Sequence, residues 1–204
     1  EVKDPAEKKS LDLVYDNALK LNNLIHRTIE LRSFDADSDD LLILSRIDAV
    51  DFCRSIFETY RESHAGKHFI FHAPEKRIFI EADAVKLESI VNNLLSNACK
   101  YTMPQGEISL DLKATKRKAI LSLKDNGIGI PKKAKKHIFS DIYRAENARQ
   151  SQEEGTGFGL LQVQRIVKML HGKITFCSEE GKGTTFIVTL PRTTTVAEPV
   201  SHES

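Results

Sequence analysis

The sequence contains few of the residues that build disulfide and zinc sites. Its 204 residues include only three cysteines, Cys53, Cys99 and Cys177, which lie far apart among apolar neighbours. Their odd number and wide spacing exclude a disulfide framework and the paired spacing of a zinc site. We therefore expect three reduced cysteines in the core of a cytosolic protein.

Strong net charge and long apolar runs are also missing. The chain carries 30 Lys and Arg against 29 Asp and Glu, a formal net charge of +1. This balance gives no general attraction to nucleic acid or to an anionic membrane. The sequence contains no run of 18 apolar residues, so it predicts no membrane-spanning helix, and it shows no signal-peptide pattern. Because the chain opens EVKDPAEKKS, without Met, we expect a fragment of a longer protein.

Three parts of the chain differ in pattern. Residues 8–34 are typical of one long helix, and the polar stretch SFDADSDD (33–40) ends it. We therefore divide the chain into a helix with a hinge at 1–40, a globular domain at 41–192 and a polar tail or linker at 193–204. The apolar residues of the helix recur in steps of three and four, the spacing of a bundle seam: Leu11, Val14, Ala18, Leu21 and Ile25.

The globular part alternates between strand and helix patterns. The order of these patterns, with hairpins rather than strict βαβ units, predicts an α+β fold, a two-layer sandwich in which helices cover one face of a mixed sheet. We predict strands in LLILSRID, KHFIFHAP, KRIFIEA, GEISLDLKAT and KAILSLKDN, a closing hairpin in GKITFCSEEGKGTTFIVTLP, and helices in AVDFCRSIFETYRESH, at 83–102 and after the glycines at 155–159.

A glycine-rich stretch, EEGTGFGLLQVQRIVKML (153–170), leads into the clearest helix pattern. Gly155, Gly157 and Gly159 stand there although glycine inside a helix costs about 1 kcal/mol relative to alanine. Free N–H groups at a helix N-terminus can bind a phosphate, and glycine lets it approach closely. No strand precedes the glycines, and the P-loop spacing is absent from the sequence, which excludes two common nucleotide motifs. On these residues alone, a flexible loop before a helix is the simpler interpretation.

A second glycine stretch, KDNGIGIP (124–131), follows the end of a predicted strand. Asp125 is placed to accept a hydrogen bond from an exocyclic amine, with backbone close by because Gly127 and Gly129 have no side chains. An ordinary Asx turn would leave the same pattern.

The helix LESIVNNLLSNACKYT (87–102) has an unusual polar face. Asn93, Asn97 and Lys100 fall within about 60° of one another on a helical wheel. An amide oxygen beside a lysine suits a hard cation held between protein and phosphates. A solvated face with accidental asparagines is the alternative. The adjoining arc is apolar and should face the core: Leu87, Ile90, Val91, Leu94, Leu95 and Ala98.

The order of these motifs resembles the sensor histidine kinases of the GHKL ATPase superfamily. NNLLSNACKYT is similar to their asparagine box, DNGIGIP to the first glycine box and GTGFGL to the second. IFSDIYRAENAR (138–149) resembles the phenylalanine box, although Ile142 replaces the usual second aromatic residue, and GKGTTFIVTLP resembles the closing hairpin. The resemblance covers about residues 42–191.

The resemblance implies an ATP site with Mg²⁺. Asp125 would contact the adenine amine, with Thr184 as a second adenine contact, and Asn97 would coordinate Mg²⁺. Lys100 and Tyr101 would face the phosphates and the ribose. The remaining implied contacts are Gly127, Gly129 and Ile130 in the first glycine box, Gly155, Thr156, Gly157, Phe158, Gly159 and Leu160 in the second, and the lid arginines Arg144 and Arg149.

The resemblance also implies a reaction and partners. Asn93 stands where ATP-hydrolysing relatives have a glutamate, and an amide cannot act as a general base, which suits phosphoryl transfer to a histidine. His26 is not in the setting of a phosphoacceptor, so we expect the acceptor helix outside this chain, with residues 1–40 as the second helix of a dimerisation hairpin. Implied partners are that helix, a receiver domain and a second copy of the full-length protein. This chain would then be the cytosolic part of a larger, membrane-bound or hybrid sensor.

Other functions remain open at this point. A GHKL serine kinase of the anti-sigma type would share the nucleotide fold, and a degenerate scaffold would keep only the fold. The basic runs KATKRK (113–118) and KKAKKH (132–137) lack interleaved aromatic residues, so we expect solvated faces, or contact with an acidic partner, rather than a nucleic-acid site or a membrane contact.

Overall fold

The structure is a computed structural model that describes residues 42–139 and 158–193. The chain divides into two compact units, Glu1–Leu42 and Ile43–Ser204, and the described helices and strands all belong to the second unit. In the described ranges, no helix is both long enough and apolar enough to cross a bilayer. The predicted N-terminal helix, most of the phenylalanine box and the tail beyond Thr193 lie outside the described residues.

The described elements follow the predicted order closely. The strands are β1 (Leu44–Asp48), β2 (His68–His72), β3 (Phe79–Asp83), β4 (Glu107–Ala114), β5 (Lys118–Asp125), β6 (Lys173–Glu179) and β7 (Gly183–Pro191), and the helices are α1 (Ala49–Ser63), α2 (Ala84–Tyr101) and α3 (Gly159–Met169), with a short 3₁₀ turn at Ala134–Lys136. Each predicted strand and helix in the described ranges is therefore present.

Five strands form one mixed sheet in the order β2-β4-β5-β7-β6. β2 runs parallel to β4, and the other neighbours are antiparallel. The predicted α+β sandwich is confirmed. The pairing of β1 with β3 in a separate two-stranded sheet was not predicted. Strand patterns give the faces of a strand but not its partner, and here the partners lie some 35 residues apart along the chain.

Helix α2 forms the centre of the helical layer. Asp83 caps its N-terminus, since the carboxylate accepts a hydrogen bond from the Lys86 N–H at 3.0 Å. Phe57 of α1 is fully buried and packs against the rings of Phe69 and Phe71 on β2. The predicted apolar arc of α2 is confirmed, because all its members are buried: Leu87, Ile90, Val91, Leu94, Leu95 and Ala98.

The cysteines only partly match the prediction. Cys53 and Cys99 are buried, and burial raises the pKa of their thiols to about 12 and about 11, which keeps both protonated. The prediction is wrong for Cys177, which is exposed. It lies on the edge strand β6 between the inward-facing Phe176 and Ser178, so the period-two alternation of the strand turns it outward.

Candidate functional site

One end of the central sheet brings together β5 and β7 where the chain enters glycine-rich turns. Asp125, the last residue of β5, pairs directly with Thr184 near the start of β7. Asp125 is only 7% exposed. Its Oδ1 atom accepts hydrogen bonds from the Gly127 N–H at 2.9 Å and the Thr184 N–H at 3.2 Å. The backbone therefore fixes one oxygen of this carboxylate.

Burial dominates the electrostatics of this carboxylate. Loss of hydration raises the pKa of Asp125 above its usual value, and the hydrogen bonds from Gly127 and Thr184 offset part of that rise. A buried carboxylate with a raised pKa at the end of a sheet is a candidate binding group, because a ligand donor can compensate for the lost water.

The first glycine box packs against the end of α2. A Cβ on Gly127 would overlap the carbonyl oxygen of Tyr101, and the Ile128 N–H donates a hydrogen bond to that same oxygen at 3.0 Å. The expected reason for this glycine was the approach of a ligand. The structure shows that it admits the protein's own backbone, which holds the last turn of α2 beside Asp125.

Two further glycines serve the same packing. Gly129 has a φ of +65°, and a Cβ there would overlap the Glu179 carbonyl. Gly183 has a φ of +109°, and a Cβ there would overlap the Asp125 carbonyl. Both positions combine a left-handed backbone with a close backbone neighbour, so only glycine fits without strain. The turn between β6 and β7 is thereby seated against the Asp125 loop.

Ser178 connects these segments and was not predicted as a site residue. Its Oγ accepts a hydrogen bond from the Ile130 N–H at 2.8 Å, lies 3.0 Å from the Thr184 Oγ1 and donates to the Gly183 carbonyl at 2.9 Å. The sequence offers one signal for it. Ser178 is a polar residue at an inward-facing position of β6, in line with Ile174 and Phe176.

Two residues just before the predicted lid, Lys135 and Phe139, also contact β6. The Lys135 Nζ donates to the Ser178 carbonyl oxygen. Phe139, the aromatic residue of the phenylalanine box that the structure describes, packs edge-to-face on Phe176 with ring centroids 5.7 Å apart. Phe139 is the last described residue before residue 158, so the described segment ends in contact with β6.

The polar face of α2 lies across from α3. Asn93, Asn97 and Lys100 are all half-buried. The Asn93 Nδ2 donates to the Ser89 carbonyl at 2.8 Å and to the Gln162 Oε1 at 3.4 Å, which links α2 to α3. Amide oxygens and an ammonium on one face suit phosphates and a hard cation together.

Gly159, the first residue of α3, shows why a glycine stands at the start of this helix despite its cost. A Cβ on Gly159 would overlap the Asn93 Oδ1 atom. The helix can begin beside α2 because this position has no side chain. Phe158 immediately before it is buried in the core, so any ligand contact there would involve its backbone.

A lysine side chain binds the C-terminal end of α2. The Lys67 Nζ donates to the Thr102 carbonyl at 2.6 Å, and the Gln105 N–H donates to the Gly66 carbonyl at 2.7 Å. A cation at a helix C-terminus is stabilising because it satisfies carbonyl groups that lack helical partners. The loop after α1 therefore holds the end of α2, next to Lys100 and Tyr101.

The predicted site residues fall into two groups. Those in the described ranges lie on α2, at the end of β5 and in the loop after it, at the start of α3 and at the start of β7: Asn93, Asn97, Lys100, Tyr101, Asp125, Gly127, Gly129, Ile130, Phe158, Gly159, Leu160 and Thr184. The others lie outside the described residues: Arg144, Arg149, Gly155, Thr156 and Gly157. The described ranges contain no cluster of three or more His, Cys, Asp and Glu side chains that could hold a metal ion.

A comparison of the sequence with protein families matches residues 82–194 to the family described as "Histidine kinase-, DNA gyrase B-, and HSP90-like ATPase". The match runs from the end of β3 past the end of β7 and covers more than half of the chain. The chain belongs to this ATPase family. All of the predicted site residues lie inside the matched range.

Within this family, the chain is similar to two sensor kinases. The sensor histidine kinase WalK of Bacillus subtilis (strain 168) is 34% identical over 177 residues, which cover 84% of this chain and 28% of the relative. The sensor protein SrrB of Staphylococcus aureus (strain NCTC 8325 / PS 47) is 31% identical over 195 residues, which cover 94% of this chain and 33% of the relative. The chain thus spans about a third or less of the length of these curated relatives.

Solved structures agree with the fold. A full-length ShkA structure in complex with AMPPNP aligns with a TM-score of 0.76 and 22% identity over 94% of this chain and 40% of that chain. The alignment supports the α+β architecture of the ATPase family.

Proposed function

We propose that this chain is the ATP-binding catalytic part of a two-component sensor histidine kinase. It would transfer the γ-phosphate of ATP to a histidine on a dimerisation helix, from which the phosphate passes to a receiver aspartate. The observation that carries the proposal is the packing of the loop after the buried Asp125 against the Tyr101 carbonyl, at the end of the helix that carries Asn93, Asn97 and Lys100. The chain that holds this arrangement is a member of the ATPase family. Similarity to WalK and SrrB favours a histidine kinase over the anti-sigma serine kinase.

Asp125 would recognise the adenine ring. Its Oδ1 is held by two backbone N–H groups, which orients the carboxylate and leaves Oδ2 to accept a hydrogen bond from the adenine amine. Such a bond compensates the buried carboxylate for lost water, so the residues present fit an adenine nucleotide. Thr184 would hold Asp125 through its backbone and contact the base through its hydroxyl.

The α2 face would bind the phosphate end. Asn97 would supply an oxygen ligand to Mg²⁺, and the other ligands would come from the phosphates and water, as is usual for Mg²⁺ sites. ATP brings the phosphoryl group, and Mg²⁺ neutralises its charge. Lys100 and Tyr101 would orient the phosphates and the ribose. The N-terminal end of α3, with Gly159 and Leu160, would add backbone donors, and Arg144 and Arg149 would close over the γ-phosphate.

Asn93 would favour transfer over hydrolysis. Its amide is engaged with Ser89 and Gln162, and an amide has no basic lone pair with which to activate water. An imidazole acceptor brings its own lone pair and needs no such base. This residue would position α3 and leave water unactivated.

The partners follow from the same proposal. A solved structure of the histidine kinase ThkA in complex with the response regulator protein TrrA aligns over 94% of this chain with a TM-score of 0.72. We infer that this kinase also meets a receiver domain. Residues 1–40 would form the second helix of a dimerisation hairpin, residues 41–192 the catalytic domain and residues 193–204 a tail, with a homodimer in the full cytosolic protein.

The experiment replaces the ATP-binding domain of WalK with residues 43–193 of this chain. The chimera is incubated with radiolabelled ATP and Mg²⁺, and its label is tested for stability in acid and in base. The proposal predicts label that acid removes and base does not, as expected of phosphohistidine, and no label once the acceptor histidine is changed to Gln. Acid-stable label would indicate a serine kinase, and release of inorganic phosphate alone would indicate an ATPase.

A further inference from the structure

A basic groove lies at the end of the sheet opposite Asp125. Asp125 pairs with Thr184 at one end of β5, whereas Ala119 pairs with Leu190 at the other. Six residue steps along the strand separate these ends, about 20 Å at the rise of a β-strand. The groove has a volume of about 560 Å³ and runs between the β2–β3 loop, the end of β4 and the residue after β7. It is therefore separate from the candidate nucleotide site.

The charge of this groove is strongly positive. Among the described residues, its lining holds one carboxylate, Asp111, and four basic side chains: Lys76, Arg77, Lys113 and Arg192. The carboxylate already has a partner, because its Oδ1 lies 3.2 Å from the Nδ1 of His72. Arg77 has a carboxylate neighbour outside the lining, since its Nε lies 3.5 Å from the Asp48 Oδ2. Like charges gathered in one concave site raise the local potential and attract an anionic ligand.

The guanidinium of Arg192 carries an unsatisfied donor. Its Nη1 donates to the Thr115 carbonyl at 3.1 Å. Its Nε is buried and has no hydrogen-bond partner among the residues that the structure describes. Leaving such a donor unpaired is unfavourable, and a small rotation of the guanidinium toward the groove would let an incoming oxygen satisfy it.

The composition of the lining indicates which kind of anion fits the groove. Apolar side chains, including Ile78 and Leu112, form part of its wall, and no Phe, Tyr or Trp of the described ranges lines it. Nucleic-acid grooves combine cations with aromatic rings on which bases stack, and those rings are missing from this lining. A concave wall that combines apolar surface with two guanidinium and two ammonium groups instead matches a peptide with carboxylates, which pair with arginine through two parallel hydrogen bonds.

We propose that this groove, defined by Lys76, Arg77, Lys113 and Arg192, binds an acidic polypeptide segment of a partner protein. The groove is separate from the candidate nucleotide site. It would hold the partner through charge pairs, away from the site of phosphoryl transfer. Electrostatic docking of this kind raises the rate of encounter and weakens as salt increases.

The test uses fluorescence anisotropy of the purified full chain with a fluorescein-labelled peptide of eight glutamates. We expect saturable binding at 50 mM NaCl that weakens at least tenfold at 300 mM. The triple variant Lys76→Gln, Arg77→Gln and Lys113→Gln should lower affinity at least tenfold, and all three side chains are exposed, so the fold should persist. The matched variant Lys132→Gln, Lys133→Gln and Lys136→Gln removes the same charge from other exposed positions and should stay within twofold.

Three other outcomes would overturn the proposal, and a separate control tests for unfolding. An equal loss in both triple variants would mean attraction to net charge rather than to the groove. Absence of binding by the glutamate peptide would mean that the groove is not an acidic-peptide site. Tighter binding, lost in the groove variant, of an eight-nucleotide thymidine oligomer or of anionic phospholipid vesicles would replace the peptide with that class of partner. Unchanged ATP-analogue affinity in both variants would show that any loss is not caused by unfolding.

Discussion

The backbone N–H of Thr184 donates a hydrogen bond to the Asp125 Oδ1 at 3.2 Å, across the pairing of β7 with β5. A buried carboxylate is thus aimed by the sheet itself rather than by a mobile loop. Because the Gly127 N–H holds the same oxygen from the other side, the direction of the carboxylate is fixed before any ligand arrives. The proposed adenine contact depends on this arrangement.

The variant Asp125→Asn should separate binding from folding. The amide oxygen of asparagine can still accept from Gly127 and Thr184, so the fold should remain, but its other end donates and cannot accept from an adenine amine. Hydrogen bonds to charged groups contribute about 1.5–3 kcal/mol, so affinity for an ATP analogue should fall roughly 10- to 100-fold. Calorimetric titration measures this, with Asp51→Asn on the exposed first turn of α1 as a control. Equal affinity in wild type and Asp125→Asn would contradict the adenine contact.

The raised pKa of Asp125 should also appear as a pH dependence of stability. Burial makes the folded protein hold this proton to a higher pH than the unfolded chain, whose carboxyl titrates near 3.8. The folded state therefore binds more protons in the interval above 3.8, and this group's contribution to stability falls as pH rises through the raised pKa.

Urea unfolding at a series of pH values measures the effect. The difference in unfolding free energy between Asp125→Asn and wild type should grow in favour of the variant as pH rises through that interval, and then level off. A difference that stays constant with pH would show that the pKa of Asp125 is not raised.

The helix α2 shows how far the sequence could predict this site. Its apolar arc and its Asn93, Asn97 and Lys100 face follow from a period of 3.6 residues, which depends only on local geometry. The end of β5 at Asp125 follows from alternation and the glycines after it. These features are encoded over short stretches, so the pattern was sufficient.

The contacts between distant segments could not be predicted in the same way. Ser178 meets Ile130 across 48 residues, and nothing in either local pattern indicates the other. The glycines looked suited to a ligand, yet Gly127 and Gly159 admit Tyr101 and Asn93. A glycine in the sequence indicates that another group packs closely at that position. Only the fold shows whether that group is a ligand or another part of the protein.

A pair of alanine variants tests the packing of the first glycine box. In Gly127→Ala the new methyl group would overlap the Tyr101 carbonyl, whereas no atom of the other described residues lies within 4 Å of a Cβ on Gly66. Overpacking of this kind typically costs about 1–3 kcal/mol, so Gly127→Ala should be destabilised by that amount and should bind an ATP analogue more weakly. Gly66→Ala should change stability by less than about 1 kcal/mol. Chemical unfolding compares them, and similar stability in the two variants would disprove the backbone contact.

The serine hub can be tested with a second matched pair. Ser178→Ala leaves the Ile130 N–H and the Thr184 hydroxyl without their shared partner, which should cost about 1–3 kcal/mol and loosen the loop that carries Asp125. Ser122→Ala, on the outward face of β5, should stay within about 0.5 kcal/mol of wild type. Hydrogen exchange at Ile130 reports the loop directly. Protection of that amide unchanged in Ser178→Ala would rule out the hub.

The most direct test of the central claim is a calorimetric titration of this chain with AMPPNP, with and without Mg²⁺, in wild type, Asn97→Ala and Asn92→Ala. Asn92 lies on the same helix about 140° around its axis from Asn97, so it controls for helix propensity. We expect Mg²⁺ to strengthen binding to wild type and to Asn92→Ala, and we expect Asn97→Ala to lose this gain. Binding that ignores Mg²⁺, or that Asn97→Ala leaves unchanged, would contradict a metal-assisted nucleotide site on α2.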